Sequence, residues 1–82
     1  MISSEQIRAS RALLRMTVAE LAQESGVGVA TIKRLEACDG LPSANSKTLN
    51  ALKTTLERLG VGFVGSANDA PGVRLMKASS HD

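Results

Sequence analysis

Thr17-Val-Ala-Glu-Leu-Ala-Gln-Glu-Ser-Gly-Val-Gly-Val-Ala-Thr-Ile-Lys-Arg-Leu-Glu36 is the stretch whose reading decides the fold. Thr17 precedes Glu20 by three residues, the spacing of a capping box, and Val18, Leu21 and Ala22 then fall on one helical face. Gly26 ends that helix, because glycine accepts the left-handed conformation a helix C-terminus often needs. Val27 plugs the turn. From Val29, the apolar positions Ile32 and Leu35 recur at helical spacing up to about Ala37. Two short helices joined by Ser25-Gly26-Val27-Gly28 have one compact geometry. Small Ala22 lets the second helix cross close over the first, and Ile32 and Leu35 point back to the core. This is a helix-turn-helix pattern. It leaves Gly28, Val29, Ala30, Lys33 and Arg34 on the outer, N-terminal face of the second helix.

The flanks extend the reading in both directions. Upstream, Ser3 and Gln6 fit a second capping box, and Ile7, Arg11 and Leu14 continue a helix over residues 4 to 15. Downstream, Asp39-Gly40-Leu41-Pro42 breaks the pattern. Leu49, Leu52, Leu56 and Leu59 then form the seam of a further helix, which ends at Gly60 and has Ser43, Asn45 or Ser46 as its cap. Beyond Gly60 the period changes to two. Val61-Gly62-Phe63-Val64 and Val73-Arg74-Leu75-Met76 flank Gly65-Ser66-Ala67-Asn68-Asp69-Ala70-Pro71-Gly72, which reads as a hairpin with a long loop. The expected organisation is one helical domain over residues 1 to 60, a hairpin over 61 to 77 and a frayed tail over 78 to 82. On the hairpin, Val61, Phe63, Val73 and Leu75 are expected to cover the leucine seam. Val64 and Met76 remain on the opposite face. A hairpin edge left unpaired invites a second copy by strand addition, so these six residues form the expected dimerisation element.

Composition removes several classes of function. The chain has 82 residues, of which 43% are hydrophobic, enough for one core. A single aromatic residue, Phe63, gives a single-stranded nucleic acid almost nothing to stack on. One cysteine and one histidine, Cys38 and His81, cannot make an intrachain disulfide or fill a structural zinc site. No cofactor, metal or catalytic role is expected, and Cys38 reads as an inert small residue. Gly26-Val27-Gly28-Val29-Ala30-Thr31 misses a dinucleotide-binding loop, because it lacks the third glycine and follows a helix pattern. With no membrane-length apolar run and no signal-like N-terminus, the expected location is cytoplasmic. The net charge is +2, and all of the excess falls after residue 41. That balance permits nucleic-acid binding without establishing it.

The stretch from Thr17 to Glu36 resembles the Cro and phage-repressor type of helix-turn-helix family, also called the xenobiotic-response-element family. The likeness runs from residue 3 to about 60, with Ala22, Gly26, Ile32, Leu35 and Glu36 in one register. It implies a mainly α, four- to five-helix lambda-repressor-like domain with a short C-terminal β-hairpin. It also implies a pair between Glu36, which closes the recognition helix, and Arg11 of the first helix. The segment from Gly60 to Leu75 is similar to small regulators of alphaproteobacteria and their mobile elements. The function implied is a sequence-specific, double-stranded DNA-binding regulator of transcription, a repressor acting as a homodimer.

Under that resemblance, Thr17, Val18, Gly28, Val29, Ala30, Thr31, Lys33, Arg34 and Lys47 are the DNA-binding residues. Helix N-terminal amides meet phosphates, Lys33 and Lys47 add phosphate contacts, and Arg34 reads guanine. The chain departs from the family at Val18, often glutamine, and at Gly28, often serine. Val29 and Ala30 are apolar where relatives carry longer polar residues, so base readout rests on their contact with thymine methyl groups, plus Arg34 and Lys33. Alternative readings are the antitoxin of a toxin-antitoxin pair, and an antiactivator that holds a protein partner without DNA.

Overall fold

The computed structural model describes residues 1–66 and 68–76. The element order is α1 (Ser4–Leu14), α2 (Val18–Ser25), α3 (Val29–Glu36), α4 (Ser46–Arg58), β1 (Val61–Ser66) and β2 (Asp69–Leu75). Local chemistry sets the helix starts. Ser3 and Gln6 close a capping box on α1, Thr17 and Glu20 close one on α2, and the Asn45 side chain accepts from the Thr48 N–H on α4. Gly28 precedes α3 with no side-chain cap. Gly26 ends α2 at φ 78°, where an L side chain would be strained.

The helices enclose one core. Ile7, Leu21, Ile32, Leu35, Leu52 and Leu56 are fully buried, and Ile2, Leu49 and Val61 join them. Ala22 and Val27, the small residue and the turn residue between α2 and α3, pack on this cluster with Leu14, Met16, Val18, Ala44, Phe63 and Val73. Each eight-residue helix is too short to persist alone, so the buried residues Leu21, Ile32 and Leu35 hold the pair in place.

The expected fold class is corrected. The described residues hold four helices and no fifth, followed by the two-stranded hairpin. The long loop expected at 65 to 72 is absent as well: β1 runs to Ser66 and β2 begins at Asp69. The architecture is therefore α+β, four helices with a two-stranded antiparallel sheet packed along α1. Its register pairs Val61 with Leu75, Phe63 with Val73 and Val64 with Gly72, with an irregularity between Val64 and Ser66. Gly65 at φ 72° and Ala70 at φ 50° turn the backbone there. Residues whose chemistry favours turns are drawn into strand by what lies against them.

That neighbour is α1, whose buried face is small and polar. Ser3, Ser4 and Ser10 are fully buried beside Ile7, and Gln6 is 2% exposed. Gln6 has no idle polar atom. Its Oε1 accepts from the Ser3 N–H at 2.9 Å, and its Nε2 donates to the carbonyls of Val64 and Gly72 at 3.0 Å each. One amide thus caps α1 and ties together both strands beside the irregularity. The Ser10 hydroxyl donates to the Gln6 carbonyl at 2.7 Å, whereas Ser4 Oγ has no partner.

The hairpin faces differ from the expected ones at one end. Val61 is buried and Phe63 and Val73 pack on the core, but Leu75 is 56% exposed. The cause is position: Leu75 lies at the base of the hairpin near Gly60, past the edge of the core. Lys77, the end of the expected hairpin, and the expected tail over 78 to 82 lie outside the described residues.

Gln6→Leu strands two carbonyls and one N–H, so urea unfolding should show a loss of about 2 to 4 kcal/mol. Ser4→Ala removes only an unpartnered hydroxyl and should be neutral or slightly stabilising. Equal losses in the two variants would contradict the role assigned to Gln6.

Candidate nucleic-acid interface

The position of α3 is set by a row of side chains on α1. Glu5, Arg8 and Arg11 recur at three-residue spacing, which places them along one side of the helix. Arg11 Nε donates to Glu36 Oε2 at 2.8 Å and Nη2 to Oε1 at 2.7 Å, while Nη1 reaches the Met16 carbonyl at 3.0 Å. Glu36 is only 8% exposed, so this is a two-pronged pair with one partner buried. Its hydrogen bonds to Glu36 raise the Arg11 pKa, outweighing the opposing effect of burial.

Arg8 serves the end of the same helix. Its Nη1 donates to the Glu36 carbonyl and, at 3.2 Å, to the Cys38 carbonyl, meeting groups a helix C-terminus leaves unpaired. The chain beyond is held too: Ser4 N–H donates to the Gly40 carbonyl at 2.8 Å, and Gly40 N–H donates to the Glu5 carboxylate. Backbone N–H groups, first its own and then that of Gly40, hold the Glu5 carboxyl below its ordinary pKa.

Clamped from its C-terminal end, α3 presents Gly28, Val29, Ala30, Lys33 and Arg34 to solvent, with Thr31 half-buried. Its N-terminal N–H groups meet no capping side chain, because Gly28 has none to offer. Lys47 is exposed in the first turn of α4. Thr17 is exposed, but its hydroxyl and N–H are taken up in the capping box with Glu20.

Two of the expected residues also have partners within the fold. Val18 is half-buried and packs on the core, because it starts the apolar face of α2; its side chain belongs to the fold. Arg34 is exposed yet engaged: Nη1 donates to the Ser43 carbonyl at 2.9 Å. A base must compete with that carbonyl for the guanidinium. Among the expected dimer residues, Val61 is core, Phe63 and Val73 are partly covered by it, and Val64 is half-buried. Leu75 and Met76 are the exposed ones.

Charges are unevenly satisfied. Glu5 meets Gly40, Glu20 its capping box, Glu24 pairs with Arg58, Glu36 with Arg11 and Glu57 with Lys53. Among the described residues, Arg15, Lys33, Lys47 and Arg74 form no ion pair. An open cleft of about 420 Å³ is lined by Leu14, Met16, Glu20, Gln23, Glu24 and Leu59, none of them an exposed cation. The described residues hold no cluster of three or more metal-ligating side chains, and no helix long and apolar enough to cross a membrane. No protein-family model matches the chain, and no curated protein matches it.

Sequence reasoning did not single out Arg8, and it gave Gln6 only its local role. The Arg8 signal was available, since Glu5, Arg8 and Arg11 share a helical side. The Gln6 signal was not, because its other partners lie 58 and 66 residues away.

Removing one partner of a pair with a buried carboxylate leaves that charge unmet. Arg11→Met should lose about 3 kcal/mol in thermal or urea unfolding, and Glu36→Gln, which removes the buried carboxylate and leaves the more exposed Arg11, should lose less. The double variant should lose less than their sum by about 1 to 3 kcal/mol. Additive losses would show that the two side chains do not act as a pair.

Proposed function

We propose that the protein is a sequence-specific, double-stranded DNA-binding regulator of transcription, of the Cro and phage-repressor helix-turn-helix type, acting in the cytoplasm as a repressor. The observation that carries this reading is the charge on α3. Its one acid, Glu36, is buried against Arg11, while Lys33 and Arg34 are exposed in its last turn and, among the described residues, form no ion pair. The uncapped N-terminal amides of α3 add partial positive charge at the opposite end of the helix, beside Val29 and Ala30. A phosphate backbone fits that surface, and an α-helix fits a major groove.

In this reading α3 enters the groove and α2 crosses the flanking backbone. Val29 and Ala30 supply apolar contact suited to thymine methyl groups, and Lys33 and Lys47 meet phosphate. Arg34 leaves the Ser43 carbonyl for guanine, exchanging one hydrogen bond to a neutral oxygen for two. That competition and the short apolar side chains favour modest sequence preference.

A homodimer supplies the second reading helix, about 34 Å from the first. The exposed base of the hairpin, Leu75 and Met76, is the surface we assign to it. Strand addition along β2 is disfavoured, because Pro71 has no N–H to donate.

Selection from a randomised duplex library should return a twofold-symmetric motif. Recovery of no motif, together with no gel shift, would overturn the reading. Lys33→Ala and Lys47→Ala should weaken all duplexes alike and reduce the salt slope by about one each. Arg34→Ala should flatten the ranking of motif variants by roughly 1 to 3 kcal/mol.

Dimerisation is tested in the full chain, since Val61 and the Gln6 hydrogen bonds tie the hairpin to the core. Sedimentation of a Leu75→Lys, Met76→Lys double variant should show a monomer with a native melting transition. A dimer of wild-type affinity would place the interface elsewhere.

A further inference from the structure

Among the described residues, two that are not glycine hold a positive φ, Arg15 at 55° and Ala70 at 50°. Ala70 lies in β2 at the irregularity opposite Gly65. Arg15 ends α1, where the Met16 N–H donates to the Arg11 carbonyl at 2.9 Å and the Arg15 N–H to the Ala12 carbonyl at 3.2 Å. That paired closure requires the left-handed conformation at its central residue, which glycine takes without steric strain and arginine does not. The same chain uses glycine at comparable places: Gly26 ends α2 at φ 78°, and Gly60 follows α4 at φ 110°. Arginine at position 15 therefore works against the local backbone.

The fold offers the side chain no hydrogen-bonding partner, only the weak, solvent-screened attraction of the helix C-terminus. Arg15 is exposed, and its guanidinium makes no hydrogen bond or ion pair with any described residue. Arg8 and Arg11, on the same helix, each hold several acceptors. A residue kept in a strained conformation without internal use points to an external one.

Its location identifies the kind of ligand. Arg15 stands two residues before Thr17, the N-cap of α2, and the eight residues of α2 span about 12 Å to the turn that leads into α3. A major groove is about 12 Å wide and bordered by phosphates, so a cation set back from α3 by one such helix reaches the bordering backbone. We propose that Arg15 is a phosphate-binding residue that fixes the duplex beneath the N-terminal end of α2. This rests on the DNA-binding reading above.

The test separates the two. Arg15→Gly, Arg15→Lys and Lys33→Ala are compared with wild type by thermal melting and by anisotropy of a short, labelled, mixed-sequence duplex over a series of salt concentrations. Arg15→Gly should melt no lower than wild type, because glycine relaxes the turn. Its affinity should fall roughly three- to tenfold at low salt, with a salt slope shallower by about 0.9. Arg15→Lys keeps the charge and should retain the wild-type slope. If Arg15→Gly binds like wild type while Lys33→Ala is weakened, the DNA reading stands and the role of Arg15 is overturned. If Arg15→Gly melts lower, the arginine serves the fold and the proposal also fails. A wild-type protein with no salt-dependent binding overturns both.

Discussion

A carboxylate that is 8% exposed must be met by a cation, and for Glu36 that cation is Arg11. Much of the arrangement follows from this demand. The pair fixes the distance between α1 and the C-terminal end of α3, and the two parallel hydrogen bonds fix its angle as well. An eight-residue helix has little orientation of its own to keep. With Arg8 on the neighbouring carbonyls and Gly40 bound at both its N–H and its C=O, α3 is gripped from behind. Its N-terminal half is left free of side-chain polar partners, and in its last turn Ser43 holds Arg34. Rigidity at one end and openness at the other are complementary requirements for a helix that inserts into a groove.

The opposite flank of α1 is organised by Gln6, so a single helix of eleven residues braces two unrelated elements. The economy matters in a chain this small. A domain of this length buries too little apolar surface for wide margins, and its polar contacts within the fold have to be complete. Gln6 meets that condition with all of its amide hydrogen-bonding used, and the small serines around it let the neighbouring backbone come close. Ser4 is the exception, a buried hydroxyl with no partner that packing alone tolerates.

Local information carried most of the helical part of this structure. The capping boxes at Ser3 and Thr17, the stop at Gly26 and the 3-4-3 leucine spacing in α4 depend on neighbours a few residues away, so they were legible before any coordinates. The pair of Arg11 with Glu36 came from family resemblance and not from spacing, since 25 residues separate the two. The hairpin loop was misread for a physical reason. Gly65, Asp69, Pro71 and Gly72 favour turns in isolation, and only the pull of Gln6 on the Val64 and Gly72 carbonyls and the left-handed Ala70 make strand of them. In the site, the partners of Val18 and Arg34 were not legible, because sequence shows which residues share a helix and not which neighbours claim their side chains.

The charge pattern joins these observations. Every glutamate of the chain is drawn inward or sideways to an N–H group or a cation of the fold, so the formal charge of +2 understates what a ligand meets. Acids neutralised in place leave local cations with nothing to oppose them. Around α3 those cations are Lys33 and Lys47 with the tethered Arg34, and Arg15 adds one before α2. A modest net charge is therefore no argument against a polyanionic partner, because field at a surface depends on which charges remain uncompensated near it. The same accounting explains why the internal pairs and the outward face cannot be tuned separately. Loss of Arg11 would free the Glu36 carboxylate in the last turn of α3, and one unmet acid there would oppose the cations that face outward from the same turn.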